Sequence, residues 1–328
     1  MQDREGPTIE ALSDLTTPWC VHVVATLRIA DHIAEGVGEI NNLASAADCD
    51  SDSLARVLRH LVAKGVFQEK EPGRFALNEA ARELLTPGAR LGLDLGGIGG
   101  RMAYAWGTLL NAVRTGEPAY KELFGRPFWE DLEAHPDIAA SFDALMGPEG
   151  HGTPDPEVLI NGGWETVRTV VDVGGGTGAM LAEILRARPE IQGTLVDLPS
   201  TVSRSADTFR AAGVAARART IGQSFFDPLP AGADLYLLTK VLNDWPDRET
   251  KAILKRCAEA ARPSGRIVII GGVSPDDAPQ GLSVEMVLVG GKNNTVAEFR
   301  ELAREAGLKM CAAERQESGR FVVECRPT

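Results

Sequence analysis

The 328-residue chain has no excess of positive charge: 34 Lys and Arg stand against 46 Asp and Glu, a formal net charge of −12. Nucleic acids and anionic membranes attract basic surfaces, so neither is expected as a principal partner. Cysteine is sparse, and its spacing forms no pairs. The five residues Cys20, Cys49, Cys257, Cys311 and Cys325 include no C-x-x-C and make an odd total. That fits a reducing, cytoplasmic setting and argues against a disulfide framework or zinc knuckle. No carboxylate cluster has ligand-like spacing, so no metal is expected. Met1–Pro7 lacks a basic segment leading into an apolar one, so no secretion signal is expected. No uninterrupted apolar run is long enough to span a bilayer. What remains is ordinary for a globular chain, 44% hydrophobic and 24% charged residues, with length enough for two domains.

The most informative stretch begins at Val170. The β-branched run Val170-Val171-Asp172-Val173 breaks into glycines at 174, 175, 176 and 178, then into the helix-forming Leu181-Ala182-Glu183-Ile184-Leu185. The pattern reads as strand, tight turn, helix: the first unit of an α/β nucleotide-binding sheet. Gly174, Gly176 and Gly178 allow positive φ and close approach of the backbone to a ligand. The spacing is G-x-G-x-G, unlike the G-x-G-x-x-G of a dinucleotide fold, and plain structural turns share it. Thr194–Pro199 is a second strand that ends in Asp197, 25 positions after Asp172. A carboxylate at that tip is placed to accept both ribose hydroxyls of a nucleoside. Thr220–Pro230 ends a strand in Ser224 and Phe225, a small polar residue and an aromatic suited to an adenine ring. Strands at Asp234–Leu238, Arg266–Ile270, around Leu308–Ala313 and around Phe321–Glu324 complete an expected seven-stranded sheet.

The first third is helical. Apolar residues recur at helical spacing from Ile9 to Ile33, with a break expected at Pro18. A short helix follows over Ile40–Ala47, and a longer one starts at the capping residues Ser51-Asp52-Ser53 and stops at Lys64-Gly65. Val66–Gln68 and Arg74–Leu77 flank Pro72-Gly73 as a two-stranded wing. The outline is a winged helix. Between Glu39 and Glu83 it carries six basic and eight acidic residues, so a dimerisation scaffold suits it better than a DNA reader. Ala89–Met146 adds Tyr104, Trp106, Phe124, Phe128 and Trp129, either ordinary core or the wall of a pocket for a flat substrate. Pro148–Gly163, rich in Gly and Pro, reads as the linker into the sheet.

The ordered motifs VVDVGGGTG, LVDLP, GQSFFDPLP, KVLNDWPD, ARPSGRIVII, MVLVGGK and TVAEFRELAREAGL resemble the class I S-adenosylmethionine-dependent small-molecule O-methyltransferases of bacteria and plants, which carry an N-terminal winged-helix dimerisation domain. The upstream TGEPAYKELFGRPFWEDLEAHPDIAASFDALM matches them too, so the resemblance covers nearly the whole chain. It implies a winged-helix dimerisation domain over 1–100, connecting helices and acceptor-pocket wall over 101–163, and a Rossmann-like cofactor domain over 164–328. It implies S-adenosylmethionine as cofactor, S-adenosylhomocysteine as product, a homodimer, and an aromatic or polyketide-derived acceptor in secondary metabolism such as antibiotic biosynthesis. The turn at Gly174, Gly176 and Gly178 would receive the methionine end, with Asp172 nearby. Asp197 would take the ribose, Leu198 and the pair Ser224-Phe225 the adenine, and Thr239 and Lys240 would lie near the cofactor. Trp106, Met146, Met286 and Asn293 fall where relatives line the acceptor pocket.

The chain departs from plant members at the base. Their catalytic histidine corresponds to Asn243, and the two glutamates that hold it correspond to Gly271 and Asn293. An amide cannot act as general base. None of the five histidines (22, 32, 60, 135, 151) lies in the sheet half. Asn243, its neighbour Asp244 and, from the linker, His151 are the candidate catalytic residues, with His22 of a partner subunit a further possibility. The sulfonium is already activated, so transfer by proximity and orientation is expected. O-methyl transfer is the leading expectation. N- or C-methylation, a non-methylating hydroxylase, cyclase or decarboxylase, and a ligand-sensing winged-helix regulator are the alternatives.

Overall fold

A computed structural model describes residues 8–150, 154–278 and 284–328, with only the backbone of 147–150. The chain forms two compact units. One runs to Tyr104 and includes His135–Gly147; the other comprises Ala105–Ala134 and Pro148–Thr328.

The first unit is a winged helix. Helices Thr16–Thr26, Ile29–Ala34, Ile40–Ala46 and Ser51–Ala63 precede a two-stranded antiparallel wing, β1 (Gln68–Glu71) and β2 (Arg74–Ala76). The helix Ser51–Ala63 buries Leu54, Leu58 and Leu61, one face at helical spacing, and each such leucine contributes roughly 1.5–3 kcal/mol of apolar burial. They meet Val24, Ile29, Leu43, Phe67 and Phe75 in one core. Two local expectations are corrected. The break falls at Ser13–Leu15, while Pro18 sits inside the first turn of Thr16–Thr26, where an N–H would lack an intrahelical acceptor anyway. The N-cap of the longer helix is Asp50, whose carboxylate accepts from Ser53 N–H at 2.8 Å; the residues Ser51–Ser53 lie inside the helix. Its other end stops as read, with Lys64 as C-cap and Gly65 at φ 84°.

The second unit is built on a seven-stranded sheet. Its strands are β3 (Thr169–Val173), β4 (Gln192–Asp197), β5 (Ala218–Gly222), β6 (Leu235–Thr239), β7 (Arg266–Ile270), β10 (Leu308–Arg315) and β11 (Phe321–Pro327), in the spatial order β10-β11-β7-β6-β3-β4-β5. The two-residue strands β8 (Val273–Ser274) and β9 (Asn294–Thr295) pair beside it. The five strands from β7 to β5 are parallel, and β11 runs antiparallel between β7 and the edge strand β10. Along β3 and β6 the side chains alternate between two cores. Val171, Val173, Tyr236 and Leu238 face one, and Val170, Leu235 and Leu237 face the other with the helix Ala179–Ala187. Both faces are covered, which is why these strands are mainly apolar, with Asp172 the buried exception. Strand order reverses between β3 and β6, and in open α/β sheets the C-terminal strand ends at such a switch point are where ligands bind. Among the described residues no helix is long and apolar enough to cross a membrane.

An ion pair ties the segment before β3 to the sheet. Arg266 and Glu324 meet at 2.7 Å, both side chains about nine-tenths buried. The second Glu324 oxygen accepts from Ile160 N–H at 2.6 Å, and Arg266 donates to the Gly162 carbonyl at 2.9 Å.

Candidate active site

The glycine turn closes over the C-terminal end of β3. Gly174, Gly176 and Gly178 have φ of 68°, 61° and 83°, the left-handed region that side chains disfavour. Packing adds a second constraint at two of them. A Cβ on Gly174 would lie 2.7 Å from Val241 Cγ2, and one on Gly178 would lie 2.6 Å from the Phe209 ring. A Cβ on Gly176 would meet nothing within 4 Å, so its backbone borders open space. The Gly176 N–H donates to Asp197 Oδ2 at 2.8 Å, and Leu198 N–H donates to Asp197 Oδ1 at 2.7 Å. Asp197 is therefore held at the tip of β4 against the turn.

Asp172 lies beneath Gly175, fully buried, and neither of its oxygens has a hydrogen-bond partner. Burial first, and the Asp197 carboxylate second, push its carboxyl up to about 7, against the opposing influence of the Leu181 amide. Thr239 Oγ1, at the end of β6, is also buried without a partner. These orphaned polar atoms sit at the switch-point ends of β3 and β6, where a polar ligand would belong.

Beyond β5, Ser224 Oγ accepts from Phe226 N–H at 3.2 Å. The Phe225 ring comes within 3.3 Å of where a Gly174 Cβ would be. It meets the Trp245 ring edge-on at a centroid distance of 5.9 Å; Phe226 meets Trp245 at 5.0 Å, and Trp129 stacks on Trp245 at 6.2 Å. Trp245 is a site residue missed in the sequence. Its only signal was its place directly after Asn243-Asp244, and no local pattern announces a stacking partner 116 positions away at Trp129.

After β6 the chain turns sharply. Lys240 adopts φ 55° and donates from its backbone N–H to the Ile270 carbonyl at 2.6 Å, and Leu242–Asp244 form a single 3₁₀ turn. Asn243 Nδ2 donates to Asp244 Oδ1 at 2.8 Å, while Asn243 Oδ1 is buried and unpartnered. Burial lifts the Asp244 carboxyl to about 7, with Lys240 opposing. Gly271 has φ 86°, and a Cβ there would stand 3.3 Å from Asn243 Oδ1 and 3.2 Å from Lys240 Cα. A glutamate at 271 would be strained in its backbone and crowded against Lys240 and Asn243. Asn293 donates from Nδ2 to Ser274 Oγ. Met286 is on the helix Glu285–Val289, which packs against the 3₁₀ turn Trp106–Thr108 and the helix Leu109–Thr115.

Asp172, the glycines, Asp197, Leu198, Ser224, Phe225, Thr239, Lys240, Asn243, Asp244, Met286, Asn293 and Trp106 all belong to the second unit. Met146 belongs to the first. So does His22, whose Nδ1 pairs with the Leu93 carbonyl at 2.8 Å. His151 lies outside the described residues. Among the described residues no group of three or more His, Cys, Asp or Glu side chains could hold a metal ion.

Residues 106–309 match the O-methyltransferase domain, and residues 9–87 match the O-methyltransferase dimerisation domain. The chain belongs to this O-methyltransferase family. A member from Streptomyces carzinostaticus, the 2,7-dihydroxy-5-methyl-1-naphthoate 7-O-methyltransferase, is 43% identical over 93% of both chains. Aclacinomycin 10-hydroxylase of Streptomyces purpurascens is 39% identical over 94% of this chain and 85% of its own. The structure of an O-methyltransferase from neocarzinostatin biosynthesis, in complex with S-adenosylmethionine and 2-hydroxy-5-methyl naphthoic acid, aligns with a TM-score of 0.85 at 40% identity, covering 98% of this chain and 99% of that one. The family, the seven-stranded fold and the enzyme class expected from the ordered motifs are all borne out.

Proposed function

We propose that the protein is an S-adenosylmethionine-dependent O-methyltransferase that methylates a phenolic hydroxyl of an aromatic, polyketide-derived small molecule in secondary metabolism. It works as a homodimer in the cytoplasm, with 1–100 as dimerisation domain, 101–163 as connecting helices and pocket wall, and 164–328 as cofactor domain. The observation that carries this reading is the switch-point end of the sheet, where Asp197 is fixed against the Gly176 N–H and Asp172 and Thr239 leave buried polar atoms without partners. Those residues fit an adenosyl cofactor. Asp197 at the tip of β4 would take the ribose hydroxyls, Gly176 leaves room for the methionine end, and the Phe225 ring, set edge-on to Trp245, offers an apolar surface for the adenine. Similarity to the naphthoate enzymes supports the acceptor class.

When bound, S-adenosylmethionine supplies a methyl group on a positively charged sulfur. The chain's own part is orientation. Asn243 Oδ1 accepts the hydrogen bond of the acceptor hydroxyl, and Asp244 fixes the amide by accepting from Nδ2. Trp106, Met286 and Asn293 line the acceptor side. Holding two reactants in line contributes on the order of 7–11 kcal/mol in favourable systems, so a strong base is dispensable.

Mass analysis of products from candidate phenols tests the reading. A gain of one methyl group that labels from methyl-labelled cofactor is the expected result. Oxygen gain with no methyl transfer would instead make this chain a functional counterpart of its hydroxylase relative. Turnover undiminished by EDTA is expected as well, and loss restored by a divalent ion would overturn the metal-free mechanism.

A further inference from the structure

On that reading the cleft must handle two cofactor forms that differ chiefly by one charge. The donor bears a sulfonium, and the spent thioether does not. A site built only from glycine amides, a ribose-binding acid and aromatic rings holds both equally well, and the product then blocks the next turnover.

Asp172 breaks that equality. On β3 it shares a face with Val170, and the register sets it beside Leu195 of β4 and Leu237 of β6, both buried and apolar. From the helix Ala179–Ala187 the backbone amide of Leu181 faces it, and from the turn Gly175 lies against it. The titratable group that faces it is Asp197. A carboxyl with two unpartnered oxygens, in an apolar layer and beside a second carboxylate, costs several kcal/mol to keep charged. A chain needing only a core residue at 172 would do better with valine or leucine, like the neighbours on either side. The acid lies directly under the turn that borders the open space at Gly176, and a cation placed there would offset its charge.

We propose that Asp172 makes the cleft prefer the charged donor to the neutral product: it is ionised beneath the donor and takes up one proton from solvent when the product occupies the same place. No bond other than O–H is made or broken in this exchange. The proton gained with the product is released to solvent when donor replaces it. An ordinary buried aspartate, permanently neutral, would bind both cofactor forms without a proton difference.

Calorimetric titration of the full-length dimer with S-adenosylmethionine and with S-adenosylhomocysteine, in buffers of different ionisation enthalpy, reads this directly. At pH 7 the product is expected to bind with more proton uptake than the donor. The affinity ratio of donor to product should rise about tenfold between pH 6 and 8. In Asp172→Asn the ratio stays flat and the proton difference disappears. Asp244 ionises in the same range, so Asp244→Asn is the decisive control, and it should retain both effects. Equal proton counts for the two ligands in the wild type would overturn the proposal, and so would loss of the difference in Asp244→Asn alone. The wild-type titration decides the matter even if Asp172→Asn does not fold. Failure of both ligands to bind would sink the cofactor assignment itself, a different outcome from binding without a proton difference.

Discussion

At the scale of single residues, the three glycines of the turn are not equivalent. Gly174→Ala meets both positive φ and Val241, and is expected to destabilise the protein by more than the ~1–2 kcal/mol that left-handed backbone alone costs. Gly176→Ala carries only the backbone cost, so its loss should appear mainly as weakened cofactor binding. Denaturant melts with and without S-adenosylhomocysteine separate the two, and equal melts for both variants would refute the distinction. Asn243→Ala is expected to lower kcat about tenfold through lost orientation; unchanged turnover at saturating acceptor would remove that role. Asn243→His alone should not raise turnover, because φ 86° and crowding at Gly271 deny it a glutamate partner. Asp172 also sets a pH dependence of stability. Its folded value of about 7 lies above 3.8, so its contribution is fully present below about pH 4 and is lost as pH rises through 7. Relative to wild type, the ligand-free Asp172→Asn should therefore gain stability between pH 5 and pH 8. The identity of these residues was legible in the motifs, but the depth of Asp172 was not. Spacing marks a strand end and says nothing of which oxygens will lack partners.

At the scale of elements, the strands were legible because both faces of β3, β6 and β7 are buried and their sequences are mainly β-branched and apolar, with Asp172 and Arg266 as polar exceptions. Helix starts were less so. Asp50, Ser51, Asp52 and Ser53 are all good caps by chemistry, and the extended backbone at Asp50, φ −74° and ψ 128°, decides among them. Asp50→Ala is expected to cost ~1 kcal/mol in the winged helix, whereas Ser51→Ala should be close to neutral; chemical denaturation of the two variants checks this. The Arg266–Glu324 pair was illegible, since its members are 58 positions apart and meet only because β11 pairs with β7. Glu324→Gln should destabilise the sheet unit by about 3–5 kcal/mol because it strands a buried guanidinium. A calorimetric melt within 1 kcal/mol of wild type would contradict that estimate.

At the scale of the whole molecule, the resemblance predicted a dimer, and the segment matched to the dimerisation domain leaves large apolar side chains uncovered. Ile9, Leu12 and Leu15 are 80%, 68% and 74% exposed. Such a run in one segment is the mark of a surface meant for association. Replacing Leu12 and Leu15 by Asp should convert the dimer to monomer in sedimentation velocity, and a persistent dimer would show that other surfaces hold it. The order of strands has a consequence for synthesis. β11, residues 321–327, lies between β7 and β10 and not at the margin. Until it leaves the ribosome, β10 has no strand to pair with and the mainly apolar β7 keeps an unpaired edge. The cofactor unit must therefore wait for nearly all of its chain to be translated. Nascent chains arrested before residue 321 should remain protease-sensitive across β3–β7, long after the winged helix upstream has become resistant.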